Sequence, residues 1–203
     1  FLQLIEKLER GEDFYDTQNF WFKKKDGSIV KNKMGSLVEN LDDIPFPDRK
    51  LLYEADSKLR ARGSKLFMSN RGCPYKCSYC INVQLQAIYK PTGQNFHREK
   101  SIKRVIEEIK SAREKYDIEF LKFWDETFLL MSKERLEEFA DIYSEQIGLP
   151  YVIETTSQSI TPFTAKLLKK SNCKSASLGL ETGNPDIRNG LLHKPTDNDT
   201  YIK

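Results

Sequence analysis

Apolar positions recur along this chain with two periods, and the alternation between them predicts the fold. Over residues 101–116, Ile102, Val105, Ile106, Ile109 and Ala112 fall on one helical face. Leu136, Phe139, Ala140, Tyr143 and Ile147 repeat that stripe, with Ser132 placed to cap it and Gly148 and Pro150 to stop it. Phe163, Leu167 and Leu168 form a third, behind Thr161-Pro162, a capping residue followed by proline at the first helical position. Between these stripes lie β-prone runs at 65–69, 118–124, 151–156 and 174–180, and Asn184-Pro185 opens a fourth helix. Strands and helices alternating at this spacing require parallel strands joined by right-handed crossovers. The predicted class is therefore α/β, a partial (β/α) TIM-like barrel.

The first fifty residues follow another pattern. Leu2, Leu4, Ile5 and Leu8 sit close to a helical stripe that Gly11 ends. Phe20-Trp21-Phe22 and Ser28-Ile29-Val30 flank Lys25-Asp26-Gly27, a hairpin signal over residues 18–33, because glycine takes positive φ at little steric cost. Pro45 and Pro47 fix φ and disfavour helix in their predecessors, so residues 40–48 are expected to be an extended connector.

Composition narrows the class without naming a function. Hydrophobic residues at 38% and charged residues at 31% over 203 residues suit a globular protein with a sizeable core. No apolar run approaches the roughly 20 residues that span a bilayer, so no membrane span is expected. The net charge of +3 is small and scattered, and Lys23-Lys24-Lys25 reads as a solvated turn, so no nucleic acid partner is expected. The opening Phe1-Leu2-Gln3-Leu4-Ile5-Glu6 is amphipathic and acidic, unlike a signal peptide, which points to the cytoplasm. A chain that begins at Phe1 and stops at Tyr201-Ile202-Lys203 is expected to be a piece of a longer one.

Three of the four cysteines, Cys73, Cys77 and Cys80, fall within Arg71-Gly72-Cys73-Pro74-Tyr75-Lys76-Cys77-Ser78-Tyr79-Cys80. Soft thiolates at a Cys-x3-Cys-x2-Cys spacing on one loop can converge on a single metal centre. Three ligands leave a tetrahedral site one short, and an iron-sulfur cube so held keeps one iron open. Other readings are a buried helical stripe of small apolar residues, and a zinc site completed by Cys173, His97 or His193. Polar neighbours and the punctuating Gly72 and Pro74 oppose the stripe, and an odd trio cannot pair internally as disulfides. Cys173, at the entry to the fourth strand, reads as a buried structural thiol, and His97 and His193 as isolated surface or loop residues.

The cysteine spacing, with aromatic Tyr79 before the last cysteine, resembles the signature of the radical S-adenosylmethionine (SAM) superfamily. Leu41-Asp42-Asp43-Ile44-Pro45-Phe46-Pro47-Asp48-Arg49, Asp125-Glu126-Thr127-Phe128 and Leu178-Gly179-Leu180-Glu181-Thr182-Gly183 resemble its cobalamin-binding branch, over nearly the whole chain. The resemblance implies that residues 1–50 are the tail of an upstream cobalamin domain with hairpin and connector, and 51–203 the first half of the catalytic barrel. Cys73, Cys77 and Cys80 would hold a 4Fe-4S cluster whose open iron takes SAM, and one electron would cleave SAM to a 5′-deoxyadenosyl radical. Tyr79 would lie near the adenine, Asp125 and Glu126 near the amino group of SAM, and Glu181 near its methionine or ribose part. A packing role for Tyr79 and helix-cap or salt-bridge roles for Asp125 and Glu181 are the structural alternatives. Where many relatives carry arginine at the end of strand three, this chain reads Thr155-Thr156-Ser157, leaving Ser157 as a weaker contact.

The implied activity is cobalamin-dependent methyl transfer or radical cyclisation on a small-molecule or lipid-like substrate. Cobalamin would be held by the full-length protein, not by this segment alone, and a flavodoxin- or ferredoxin-type donor would supply the electron. The alternatives are a cobalamin-independent radical SAM enzyme, such as an RNA methylthiotransferase, and a non-catalytic zinc or iron-sulfur module.

Overall fold

The computed structural model describes residues 1–194 and 196–202. The chain divides into two compact units, Phe1–Val38 with Gln84–Gln94, and Glu39–Val83 with Asn95–Lys203. In the first unit, helix α1 (Leu2–Arg10) stops at Gly11, whose φ of 66° lies in the left-handed region. Strands β1 (Trp21–Lys23) and β2 (Ile29–Lys31) pair antiparallel with Phe22 opposite Val30, around a turn in which Gly27 has φ +86°. Phe22 packs edge-on against Phe14 and Tyr15, each with ring centroids 5.5 Å away, so aromatic contact holds the hairpin.

The second unit begins with a difference from expectation. Residues 41–43 form a 3-10 turn, where an extended connector was expected, because Asn40 Oδ1 accepts the Asp42 N–H at 3.1 Å and Leu41 is buried. Two short helices that periodicity did not reveal follow, α2 (Arg49–Ala55) and α3 (Ser57–Ala61), each started by an aspartate: Asp48 accepts the Lys50 N–H, and Asp56 those of Lys58 and Leu59. Then come β3 (Ser64–Phe67), β4 (Asn70–Arg71), α4 (Ile81–Tyr89), whose residues from Gln84 onward belong to the first unit, β5 (Arg98–Glu99) and α5 (Ile102–Arg113). The chain continues through β6 (Phe120–Phe123), α6 (Lys133–Gln146), β7 (Tyr151–Thr155), α7 (Pro162–Lys170), β8 (Cys173–Leu178) and α8 (Asn198–Ile202). Ser101, Ser132 and Thr161 cap α5, α6 and α7 through their hydroxyl oxygens, each cap contributing about 1 kcal/mol.

Strands β3, β6, β7 and β8 form one parallel sheet in that order, open at both sides among the described residues. Helices α5, α6 and α7 cover one face through the three stripes read above. Alternation sends Phe67, Leu121, Phe123, Tyr151 and Ile153 into that layer. There Phe123, Phe139, Tyr143 and Tyr151 meet at centroid distances of 5.0–6.4 Å. On the other face Leu66 is exposed and Lys122 pairs with Glu154 at 3.0 Å. Lys65, wholly buried, donates to the carbonyls of Leu59, Arg60 and Arg62 at the end of α3. The fourth helix differs from expectation: Asn184 Oδ1 receives the N–H groups of Asp186 and Ile187, but the turn widens into a π-turn at Ile187–Leu191. Cys173 is half-buried rather than buried, its thiol donating to Ser175 O at 3.4 Å.

Two features aim the segment after β3. Asp125, just beyond β6 and 1% exposed, accepts the N–H groups of Ser69 and Asn70 at 2.8 and 2.7 Å and the Ser69 hydroxyl at 3.1 Å. Burial pushes its pKa up to about 7 against the opposing pull of those hydrogen bonds. Gly72 then takes φ +85°, and a Cβ there would lie 2.2 Å from the carbonyl oxygen of Phe96. Only glycine fits both the dihedral and the close approach.

Gly72→Ala is expected to cost roughly 1–3 kcal/mol from dihedral strain alone, with added collision against Phe96. Urea unfolding of the variant checks this, and unchanged stability would refute the packing described. Asp125 holds its proton more tightly folded than unfolded, so its contribution to stability falls as pH rises from about 4 to about 7 and is level above that. An amide at this position would keep an acceptor oxygen without the charge, so Asp125→Asn should gain stability relative to the native chain as pH rises from about 4 to about 7 and keep that gain above it. Parallel pH dependences of unfolding in the two proteins would contradict it.

Candidate cluster and cofactor cleft

The carboxyl ends of the parallel strands and the cysteine loop enclose a cleft of about 450 Å³. Cys73, Cys77, Cys80, Tyr79, Glu126 and Glu181 line it, six of the residues that the sequence singled out. Thr127, Glu154 and Lys194 line it too, and sequence reasoning missed all three. Asp125 and Ser157 are not among its lining residues. Asp125 spends both oxygens on Ser69 and Asn70, and Ser157, 3% exposed, lies 3.3 Å from the Thr196 hydroxyl. Larger hollows of about 590 and 720 Å³ lie elsewhere, beside α2 and beside β5, and no cysteine lines either.

All four cysteines are free thiols, and Cys73 is the buried one. Its sulfur lies 4.0 Å from the Thr127 hydroxyl, and burial raises its pKa above the usual thiol range. Cys77 and Cys80 are half-buried and joined by a turn in which the Cys80 N–H donates to Cys77 O at 3.0 Å. The sulfurs border one cleft without being drawn to a point: among the described residues no three His, Cys, Asp or Glu side chains are gathered closely enough to hold a metal ion. Neither His97, His193 nor Cys173 lines the cleft. Burial lowers the pKa of His97, and its Nε2 is buried with no hydrogen-bond partner.

Across the cleft, Glu181 stands just beyond β8 at φ +67°. Its Oε1 accepts the Tyr79 hydroxyl at 3.0 Å and the Lys194 ammonium at 2.9 Å. The Lys194 contact holds the Glu181 pKa below its usual value, while burial and the neighbouring Glu181 push that of Tyr79 up. The carboxylate folds back over Gly179, where a Cβ would come within 2.4 Å of Oε1. Lys194 stands in an aperiodic loop just after the π-turn, so periodicity could not find it; only its proximity to the expected site residue Glu181 in the chain was a signal.

The donor set fits an iron-sulfur cluster held from one loop: three soft sulfurs on a single segment bordering a cleft with carboxylates and one ammonium opposite. No helix among the described residues is long and apolar enough to cross a membrane.

Comparison with known proteins agrees. Residues 68–202 match the family model described as the radical SAM superfamily. The uncharacterized methyltransferase PH0819 of Pyrococcus horikoshii is 27% identical over 187 residues, 92% of this chain and 39% of that protein. An anaerobic magnesium-protoporphyrin IX monomethyl ester cyclase of Rubrivivax gelatinosus is 24% identical over 202 residues, 96% of this chain and 35% of that protein. The chain thus spans less than half the length of these relatives. Among solved structures, the cobalamin-dependent SAM radical enzyme OxsB has a TM-score of 0.74 at 15% identity, covering 99% of this chain and 29% of that one. The radical SAM methyltransferase TsrM of Kitasatospora setae has a TM-score of 0.70 at 15% identity, covering 98% of this chain and 40% of that one. Both share the fold. With the family model matching well over half of the chain, the cysteine loop included, this protein belongs to the radical SAM superfamily.

Proposed function

We propose that this chain carries the cluster and SAM sites of a cobalamin-dependent radical SAM enzyme, either a methyltransferase or a cyclase. The observation that carries the reading is the placement of three free thiols on one loop at one side of a cleft, with the Glu181–Lys194 pair at the other. Cys73, Cys77 and Cys80 would be the ligands. When bound, a 4Fe-4S cluster with one open iron supplies the electron that cleaves SAM to methionine and a 5′-deoxyadenosyl radical.

The chain's own groups have separate tasks. Glu126 and Glu181 offer carboxyl oxygens as acceptors to an ammonium or to sugar hydroxyls, and Lys194 offers a donor to a carboxylate. Tyr79, held by Glu181, presents an aromatic ring at the cleft mouth for an adenine. Thr155, Thr156 and Ser157 bring no cation to the end of β7, so Lys194 takes the place of the missing arginine in this reading. Asp125 would serve the site from beneath, through Ser69 and Asn70.

Two curated relatives named as a methyltransferase and a cyclase support the choice of reactions, and the cobalamin-dependent fold neighbours support the cofactor. In this reading residues 1–50 form the tail of an upstream cobalamin domain with its connector, and 51–203 begin the barrel. The substrate would be a small or lipid-like molecule, the donor a flavodoxin or ferredoxin type, and the setting the reducing cytoplasm, where thiols stay free.

Anaerobic reconstitution of the full-length protein with iron and sulfide should give a brown protein that releases methionine and 5′-deoxyadenosine from SAM under dithionite. Cys77→Ala should reduce both the cluster absorbance and the cleavage to background. A colourless native protein holding zinc, or a brown one that leaves SAM intact, would overturn the proposal.

A further inference from the structure

Arg188 is wholly buried, and nothing in the proposed chemistry uses it. Its guanidinium donates to Thr182 O at 2.9 Å, to Asn198 Oδ1 at 2.7 Å, and twice to Thr196 O, at 3.2 and 2.9 Å. These partners are neutral oxygens, which satisfy the donors without cancelling the charge. A cation buried in this way is costly compared with a hydrocarbon of similar volume, so its presence asks for a structural return.

That return lies in the turn to which Arg188 belongs. The π-turn at Ile187–Leu191 closes with Leu192 N donating to Ile187 O at 2.9 Å, one residue wider than a helical turn. The carbonyls at its end are thereby left for other partners, and both meet the cysteine loop. Leu191 O accepts the Ser78 hydroxyl at 2.7 Å, and Leu192 O accepts the Ser78 N–H at 3.1 Å. Lys194, whose N–H donates to Arg188 O at 3.0 Å, reaches Tyr79 and Glu181 from the same segment. The arc from Cys77 to Cys80 therefore rests on a seat whose far side is pinned by the guanidinium.

We propose that Arg188 is a positioning residue: by bridging Thr182, Thr196 and Asn198 it fixes the π-turn that seats Ser78 and Tyr79, and through them Cys77 and Cys80. The link to a cluster rests on the cluster-binding reading above, whereas the link from Arg188 to the loop does not.

The test uses the full-length protein, purified anaerobically, as Arg188→Leu, Arg188→Lys and Ser78→Ala. Without iron, Arg188→Leu should speed amide hydrogen exchange over both Ser78–Val83 and Ile187–Lys194 by about tenfold or more, leaving β6 and β7 unchanged. Arg188→Lys should recover part of the protection, and Ser78→Ala should loosen Ser78–Val83 alone. After reconstitution, Arg188→Leu and Ser78→Ala should shift the electron paramagnetic resonance spectrum of the reduced cluster, which a remote packing defect would leave in place. Loosening of Ile187–Lys194 with native exchange at Ser78–Val83 overturns the proposal. Should Arg188→Leu fail to fold, native exchange and a native spectrum in Ser78→Ala overturn it instead. A native protein that takes up no iron defeats the cluster reading, while the exchange measurement still decides the role of Arg188.

Discussion

Parallel strands joined through helices all finish at the same edge of their sheet, and the rest of this structure follows from that constraint. Here the edge receives the cysteine loop after β3 and β4, Glu126 and Thr127 after β6, Thr155 and Thr156 at the end of β7, and Glu181 after β8. Residues more than a hundred positions apart, such as Tyr79 and Glu181, come within hydrogen-bonding distance without any local motif to join them. The packing that enforces the constraint is apolar: each inward stripe of α5, α6 and α7 meets the alternate residues of the strands, and burying one Phe or Leu there contributes about 1.5–3 kcal/mol.

Alternation then divides the polar residues at that edge into supports and contacts. Neighbours in sequence part company: Asp125 turns under the loop and binds main-chain amides, whereas Glu126 opens onto the cleft. Lys122 and Glu154 pair on the sheet face away from the helices, with the Lys122 ammonium 3.9 Å above the Trp124 ring. One carboxylate thus shapes the loop while its neighbour remains available.

What was legible in the sequence was whatever has a period or a dense motif. The stripes of α5, α6 and α7 and the β-prone runs carry the hydrophobic burial, so they marked the strands and helices to within a few residues. The cysteine spacing marked the loop. Short helices such as α2 and α3 escaped because five to seven residues hold too few turns for a stripe, and their signals, Asp48 and Asp56, are single caps. The sense of Asp125 was hidden for another reason: an acidic residue after a strand reads alike whether it meets a ligand or two amides 55 and 56 residues upstream. Lys194 and Arg188 owe their positions to a π-turn, which has no compositional signature.

The thiols add an electrostatic argument for a cation at this place. A metal ligand must be thiolate, and burial of Cys73 favours its protonated form, as the nearby sulfurs of Cys77 and Cys80 also do. Glu126, Glu154 and Glu181 add negative charge to the same cleft, with Lys194 the one lining cation among its described residues. Three thiolates gathered there without positive charge would repel one another and the carboxylates. In the proposed reading a cationic iron centre bound there would add attractions that outweigh those repulsions and would lower the proton affinity of the sulfurs it bound. The Ser78 contacts hold the Cys77–Cys80 arc from outside, and in the proposed reading they would keep the loop in place on the edge of the sheet while its sulfurs closed on a cluster.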